Sequence, residues 1–186
     1  MKRKVFPMII LASGFICFQS VFGRLTLQEV RTASDHVLVL FFTSDTLDIN
    51  EVNIDSATAW KINGEPAVRV FRFATKADAC DHFVYLETPV LKEGKTYRIE
   101  TPYGDTSFQF RERNVFCESI KTNQAGYSAL AKSRYANFAI WLGNGGPRHI
   151  EGPAPEYKVF DMQSGKTVGH GTLKETGPDM SSGDFV

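Results

Sequence analysis

After residue 23, no stretch of this chain repeats its apolar residues at the helical period. Short apolar segments follow one another instead, divided by polar, Gly- and Pro-containing turns. His36-Val37-Leu38-Val39-Leu40-Phe41-Phe42 is the densest of them. A continuous β-branched and aromatic run of that length suits a central strand. Leu25 to Val30 alternates apolar and polar, the mark of a half-buried strand. Trp60-Lys61-Ile62-Asn63-Gly64-Glu65-Pro66 places Asn-Gly between strand-like flanks and predicts a tight hairpin. Val68 to Phe73 reads as a strand with its arginines toward water and its Val and Phe toward the core. His82 to Glu87, Tyr97 to Glu100 and Thr106 to Phe110 complete about seven strands, which makes an all-β sandwich over residues 24–114.

The amino terminus has another purpose. Lys2, Arg3 and Lys4 precede an apolar core from Val5 to Phe18, and Val21-Phe22-Gly23 ends on a small residue. This form predicts a cleaved export signal over residues 1–23 and a secreted, periplasmic or extracellular, product. Cys17 leaves a lipoprotein signal as the alternative, although bulky Phe15 and Ile16 precede it. The whole chain has 21 basic and 21 acidic side chains. Losing three basic residues with the signal leaves a net charge of minus three. A mildly acidic product without a Lys/Arg run gives no reason to expect nucleic acid as a partner. No later stretch is apolar for long enough to span a bilayer.

Cys80 and Cys117 then remain as a pair, and an exported compartment favours a disulfide between them. The alternative is two buried thiols. Such a bridge would stabilise the fold by roughly 3–4 kcal/mol on the chain-entropy account. No Cys/His spacing of the zinc type occurs, and nothing in the sequence calls for a cofactor.

A second group of strands follows, over Phe116–Asn123, Tyr135–Leu142, Glu156–Met162 and Lys166–Leu173. The first two flank a polar corner in which Gly126 permits a tight turn and Tyr127 can bury its ring. Ile120-Lys121-Thr122-Asn123-Gln124-Ala125-Gly126-Tyr127 resembles the I-x-x-N-Q-x-G-Y opening of the immunoglobulin-like domain that precedes the catalytic domain in family 9 glycoside hydrolases. Val159-Phe160-Asp161, Ser164-Gly165-Lys166 and Gly171-Thr172-Leu173 are similar to a second motif of that domain, in the right order. Leu91-x-x-Gly94-x-x-Tyr97-x-Ile99 further resembles the tyrosine corner of immunoglobulin-like and fibronectin-like domains.

The resemblance implies two tandem Ig-like or fibronectin-like sandwiches, the second (residues 115–186) cut short before its closing strands. It implies a non-catalytic region that supports and orients a catalytic domain, absent here, acting on β-linked polysaccharide. Asn123, Gln124, Gly126 and Tyr127 become candidates for the interface with that domain. The rival reading is a stand-alone carbohydrate-binding or adhesive module.

Catalytic groups are hard to find in the chain itself. Asp45 with Asp48, Glu29 with Asp35, and Asp179 with Asp184 are carboxylate pairs of the kind glycoside hydrolysis uses, but each sits where turns favour acidic residues. His36, His82, His149 and His170 are scattered, without a Gly-x-Ser-x-Gly elbow. Asn144-Gly145-Gly146 lacks the Gly-Lys-Ser/Thr ending of a phosphate loop. Trp60, Trp141, Tyr103 and Tyr157 could stack on sugar rings, although aromatic residues in strands more often fill cores.

Overall fold

The computed structural model describes residues 25–45, 54–76, 80–122, 126–128, 130–150 and 152–177. The expected export signal, Asn123, Gln124, Asp48, Asp179 and Asp184 lie outside them. The described chain is all-β, without an α-helix. Its strands are β1 (Thr26–Ser34), β2 (Val37–Ser44), β3 (Lys61–Ile62), β4 (Glu65–Pro66), β5 (Arg69–Lys76), β6 (Cys80–Glu87), β7 (Thr96–Thr101) and β8 (Gly104–Gln109). Beyond these come β9 (Ile120–Thr122), β10 (Ala136–Phe138), β11 (Ile140–Trp141), β12 (Pro147–Arg148), β13 (Glu156–Phe160) and β14 (Thr167–Thr172).

Two antiparallel four-stranded sheets form a sandwich, one in the order β1-β2-β6-β5 and the other β4-β3-β7-β8. Leu38, Leu40 and Phe42 of β2 and Val84 and Leu86 of β6 face the second sheet's Ile62, Tyr97 and Ile99 in one buried cluster. Each such side chain contributes roughly 1.5–3 kcal/mol through removal from water. Trp60 lies at the centre, fully buried, with its indole N–H donating to the Ile54 carbonyl at 2.9 Å. The Asn-Gly hairpin is present: Asn63 and Gly64 take φ of +54° and +85° between β3 and β4. Asn63 Oδ1 also accepts from the Arg98 N–H at 2.8 Å, which ties the turn to β7.

The tyrosine corner is closed by one bond. Tyr97 is buried, and its hydroxyl accepts from the Lys92 N–H at 2.8 Å. Tyr97→Phe leaves the ring in place and strands that N–H. The expected loss is about 1 kcal/mol, read from the urea midpoint at unchanged m-value. An unchanged midpoint would show that the corner does not depend on the hydroxyl.

The central sheet is covered on both faces. Val37, Val39 and Tyr85 point away from the sandwich core and form a second cluster with Ala33 and Leu142, against which Phe71, Phe83 and Ile140 pack. This corrects the reading of Val68 to Phe73. Val70 joins the core between the sheets, while Phe71 and Phe73 share the outer face with Arg69. Arg69 lies over the Phe71 ring at 5.7 Å and shelters it without its entering the sandwich, while Phe73 stays 39 % exposed.

The later strands pair two by two: β9 with β10, β11 with β12, and β13 with β14. They do not share a core of their own among the described residues. Among the described residues from 115 onward, only Ser119, Ala139, Leu142 and Gly143 are buried. Residues 116–118 extend the first sheet instead. Thr32 N–H donates to the Phe116 carbonyl at 3.0 Å, and Glu118 N–H donates to the Thr32 carbonyl at 2.8 Å. Ala139 N–H then donates to the Ser119 carbonyl at 2.9 Å, which carries β11 onto the outer face.

The expected Cys80–Cys117 disulfide is not formed, and both cysteines are free. The strand register explains why. Cys80 pairs with Ser44 at one end of the sheet, whereas Cys117 bridges to Thr32, in line with Leu38 and Leu86. Leu86 lies six positions along β6 from Cys80, about 20 Å of strand. A disulfide needs its Cα atoms within about 7 Å.

Candidate functional site

The outer face carries a concavity. It is a groove of about 340 Å³ between the segment after Val115 and β11. Its lining comprises Arg31 from β1, Phe73 from β5, Phe83 and Tyr85 from β6, Phe116, Glu118, Ser119 and Lys121, and Ala139 and Trp141. Strand alternation puts Phe73, Phe83 and Tyr85 side by side, because all three lie on the face turned away from the sandwich core. Trp141 stands nearly perpendicular to two of them. Its ring meets Phe73 at 4.8 Å and 79°, and Tyr85 at 6.4 Å and 82°.

Arg31 anchors the opposite side. Its Nε donates to Glu29 at 2.6 Å and its Nη1 to Glu118 at 3.0 Å. The guanidinium also lies 4.7 Å from the Phe41 ring centroid and 5.1 Å from that of Phe116. One cation therefore joins β1 to the chain that follows the sandwich. Burial pushes the Glu118 carboxyl above its ordinary value, and the Arg31 bonds only partly oppose that rise. Burial, then the Glu118 charge, raises the Tyr85 phenol as well.

The rise at Glu118 sets a direction for pH dependence. A carboxyl that holds its proton more tightly when folded loses folding stability as pH rises through its folded pKa. Wild type is expected to lose stability relative to Glu118→Gln as pH rises from about 4 toward 7. Paired urea melts across that range measure it. A gap of constant size across pH, or one that changes in wild type's favour, would refute the assignment.

Other residues singled out in the sequence are dispersed. Trp60 and Tyr103 belong to the sandwich core, meeting Phe42 at 6.1 and 5.7 Å. Tyr157 lies over Gly171 on the β13–β14 hairpin, where an added Cβ would stand 3.0 Å from its ring. Glu29 binds Arg31, not its predicted companion Asp35. His82 is buried and shares a 2.9 Å hydrogen bond with Ser44, joining β6 to the end of β2. Gly126 takes φ of +81° as its turn requires, and Tyr127 keeps 37 % of its surface exposed. Among the described residues, no three His, Cys, Asp or Glu side chains gather as a metal site, and no helix is long and apolar enough to cross a membrane.

The glycine-rich turn Gly143 to Gly146 does mechanical work. Asn144 Oδ1 accepts from the Arg72 N–H at 2.9 Å, capping the edge strand β5. Gly143 and Gly145 let that turn lie directly on Arg72 and Phe71. The sequence analysis missed Arg31, Glu118, Phe116 and the ring row of β5 and β6. A usable signal was present: β2, β5 and β6 carry large apolar residues at both parities, more than one buried face requires.

The second motif of the sequence has a local physical basis. Asp161 Oδ1 accepts from Ser164 N–H at 2.7 Å and from its hydroxyl at 2.6 Å, and Gly165 follows at φ of +67°. These bonds hold the Asp161 carboxyl below its usual range and close the β13–β14 hairpin. Compared with known proteins, the chain matches no family model, no curated protein and no solved structure.

Proposed function

We propose that this chain is a non-catalytic, exported β-sandwich region whose later half supports and orients a neighbouring domain. The reading follows the resemblance of Ile120 to Tyr127 and Val159 to Leu173 to the immunoglobulin-like domain of family 9 glycoside hydrolases. On that reading the neighbour is a catalytic domain of the same polypeptide, acting on β-linked polysaccharide, and the Gly126–Tyr127 corner lies toward it.

The observation that carries the proposal is where apolar surface stays exposed. Of twelve large hydrophobic side chains exposed among the described residues, nine lie beyond Val115. Leu130 is 92 % exposed, Met162 84 %, Tyr135 73 % and Val168 66 %. Exposed apolar side chains concentrated in one half of the sequence support an interaction role for that half. Support also comes from the two-stranded ladders there, which gain stability from packing against another element.

The test uses two measurements. The purified chain is expected to release no reducing sugar from β-glucan; release would sink a purely supporting role. Replacing Tyr157, Val159 and Val168 together by serine should change the isolated chain's unfolding free energy by no more than about 0.5 kcal/mol per site. The same triple variant should lower the melting temperature of the chain joined to the domain encoded downstream of it. Equal effects in both contexts would remove the interface.

A further inference from the structure

The loop between β9 and β10 differs in character from the strands on either side. We propose that it is a processing site for an endoprotease that cuts after basic side chains, and that the cut chain stays assembled. The claim rests on the fold alone and does not use the supporting role.

Exposure is the first argument. From Gly126 to Asn137 every described residue except Ala131 is exposed. Lys132 and Arg134 lie within this stretch with one residue between them, and neither belongs to a strand. Ser128 ties the loop to itself. Its carbonyl accepts from the Ala131 N–H at 3.0 Å and from Arg134 Nη2 at 3.2 Å, and its Oγ accepts from the Leu130 N–H at 3.2 Å. Such bonds contribute about 1 kcal/mol each. Opening the loop into the extended form that a protease holds therefore costs far less than unfolding the sandwich.

Context is the second argument. Basic residues elsewhere are held by the fold. Arg69, Arg72 and Lys76 pair along β5 with β6. The Arg111 carbonyl closes a turn, accepting from the Asn114 and Val115 N–H groups at 2.8 and 3.0 Å. The Arg113 guanidinium lies 4.0 Å from the Phe160 ring centroid. Lys174 is exposed beyond β14, but Glu175 follows it. A protease pocket that is acidic to receive a basic side chain disfavours a second carboxylate beside the bond.

What survives the cut is the third argument. Water adds across the amide that follows Lys132 or Arg134; the carbonyl carbon takes the hydroxyl and the released nitrogen takes the proton. Contacts between the two pieces remain. Ile120, Lys121 and Thr122 of β9 pair with Phe138, Asn137 and Ala136 of β10. Ala139 N–H donates to the Ser119 carbonyl, and Leu142 is buried in the outer-face cluster. The nick frees the Gly126–Tyr127 corner from β10 without undocking β11.

Trypsin at a low ratio in native buffer, followed by intact mass spectrometry, is the test. The first cut between Leu25 and Val186 should follow Lys132 or Arg134. The nicked chain should elute from size exclusion as one species, at the position of the intact chain. Lys132→Gln and Arg134→Gln together should slow the loss of intact chain about tenfold or more. Tyr97→Phe is the control, because it destabilises the sandwich outside the loop. A cut that needs only local opening keeps its rate in that variant, whereas a cut through global unfolding speeds up about fivefold. A first cut elsewhere, a chain that stays whole, pieces that separate in native buffer, or a rate that rises with Tyr97→Phe would overturn the proposal. These readings come from the chain by itself, so their failure leaves the partner-domain test untouched.

Discussion

Trp60→Ala is expected to cost about 3–5 kcal/mol, the range for deleting a large buried aromatic. Trp60 has no exposed surface, and it meets Phe42 at 6.1 Å and Tyr103 at 6.1 Å. Truncation opens a cavity in the buried cluster between the two sheets. It also strands the Ile54 carbonyl, which accepts the indole N–H at 2.9 Å. A domain of this size holds about 5–15 kcal/mol in total, so the variant should unfold at far lower urea. Trp60→Phe separates the two contributions. It keeps most of the packing and loses the hydrogen bond, for an expected cost of about 1–3 kcal/mol. Far-UV circular dichroism during urea titration reads both variants. A loss under about 1 kcal/mol for Trp60→Ala would show that the site refills and that Trp60 is not the keystone of the core.

The second large effect lies on the opposite face. Gly143→Ala is expected to cost about 2–5 kcal/mol, combining a left-handed backbone with overpacking. Gly143 takes φ of +59°, and a Cβ there would stand 2.3 Å from the Arg72 carbonyl oxygen. That oxygen belongs to the edge strand, so it cannot rotate aside as a side chain could. The control is Gly146→Ala, where φ is +70° but no atom lies within 4 Å of the added Cβ. Its cost is the backbone alone, about 1–2 kcal/mol. The difference between the two variants isolates the contact of the turn with β5. Gly143→Ala should also shift Trp141 fluorescence to the red, because lifting the turn loosens β11 from Phe73. Equal costs for the two alanines would mean that the turn does not rest on Arg72.

The two predictions divide the molecule between what is local and what is not. Strand and turn positions were legible from side-chain type. Asn63-Gly64 made its hairpin because those residues accept positive φ. Asp161, Ser164 and Gly165 closed theirs through bonds spanning only a few residues. Tyr97 marked its corner because a buried phenol needs a partner, and Lys92 N–H lies near in sequence. Each depends on chemistry within one turn of chain, which spacing alone can express.

What spacing could not express was the second burial of the first sheet. Phe71, Phe73, Phe83 and Tyr85 looked like core residues of a two-layer sandwich, and their number exceeded what one face could hold. Their cover comes from residues 140–148, far along the chain and polar or glycine-rich in part. Arg31 and Glu118 are 87 residues apart, and nothing in either neighbourhood names the other. The cysteines were misjudged for the same reason: compartment argued for pairing, while strand register set the two thiols at different ends of a sheet. By itself the sequence determined an all-β chain, its turns and its tyrosine corner, since those follow from backbone preference and short-range hydrogen bonds. The tertiary structure alone decided which face each aromatic ring occupies and which distant charges meet, because long-range packing selects among registers that are locally equivalent.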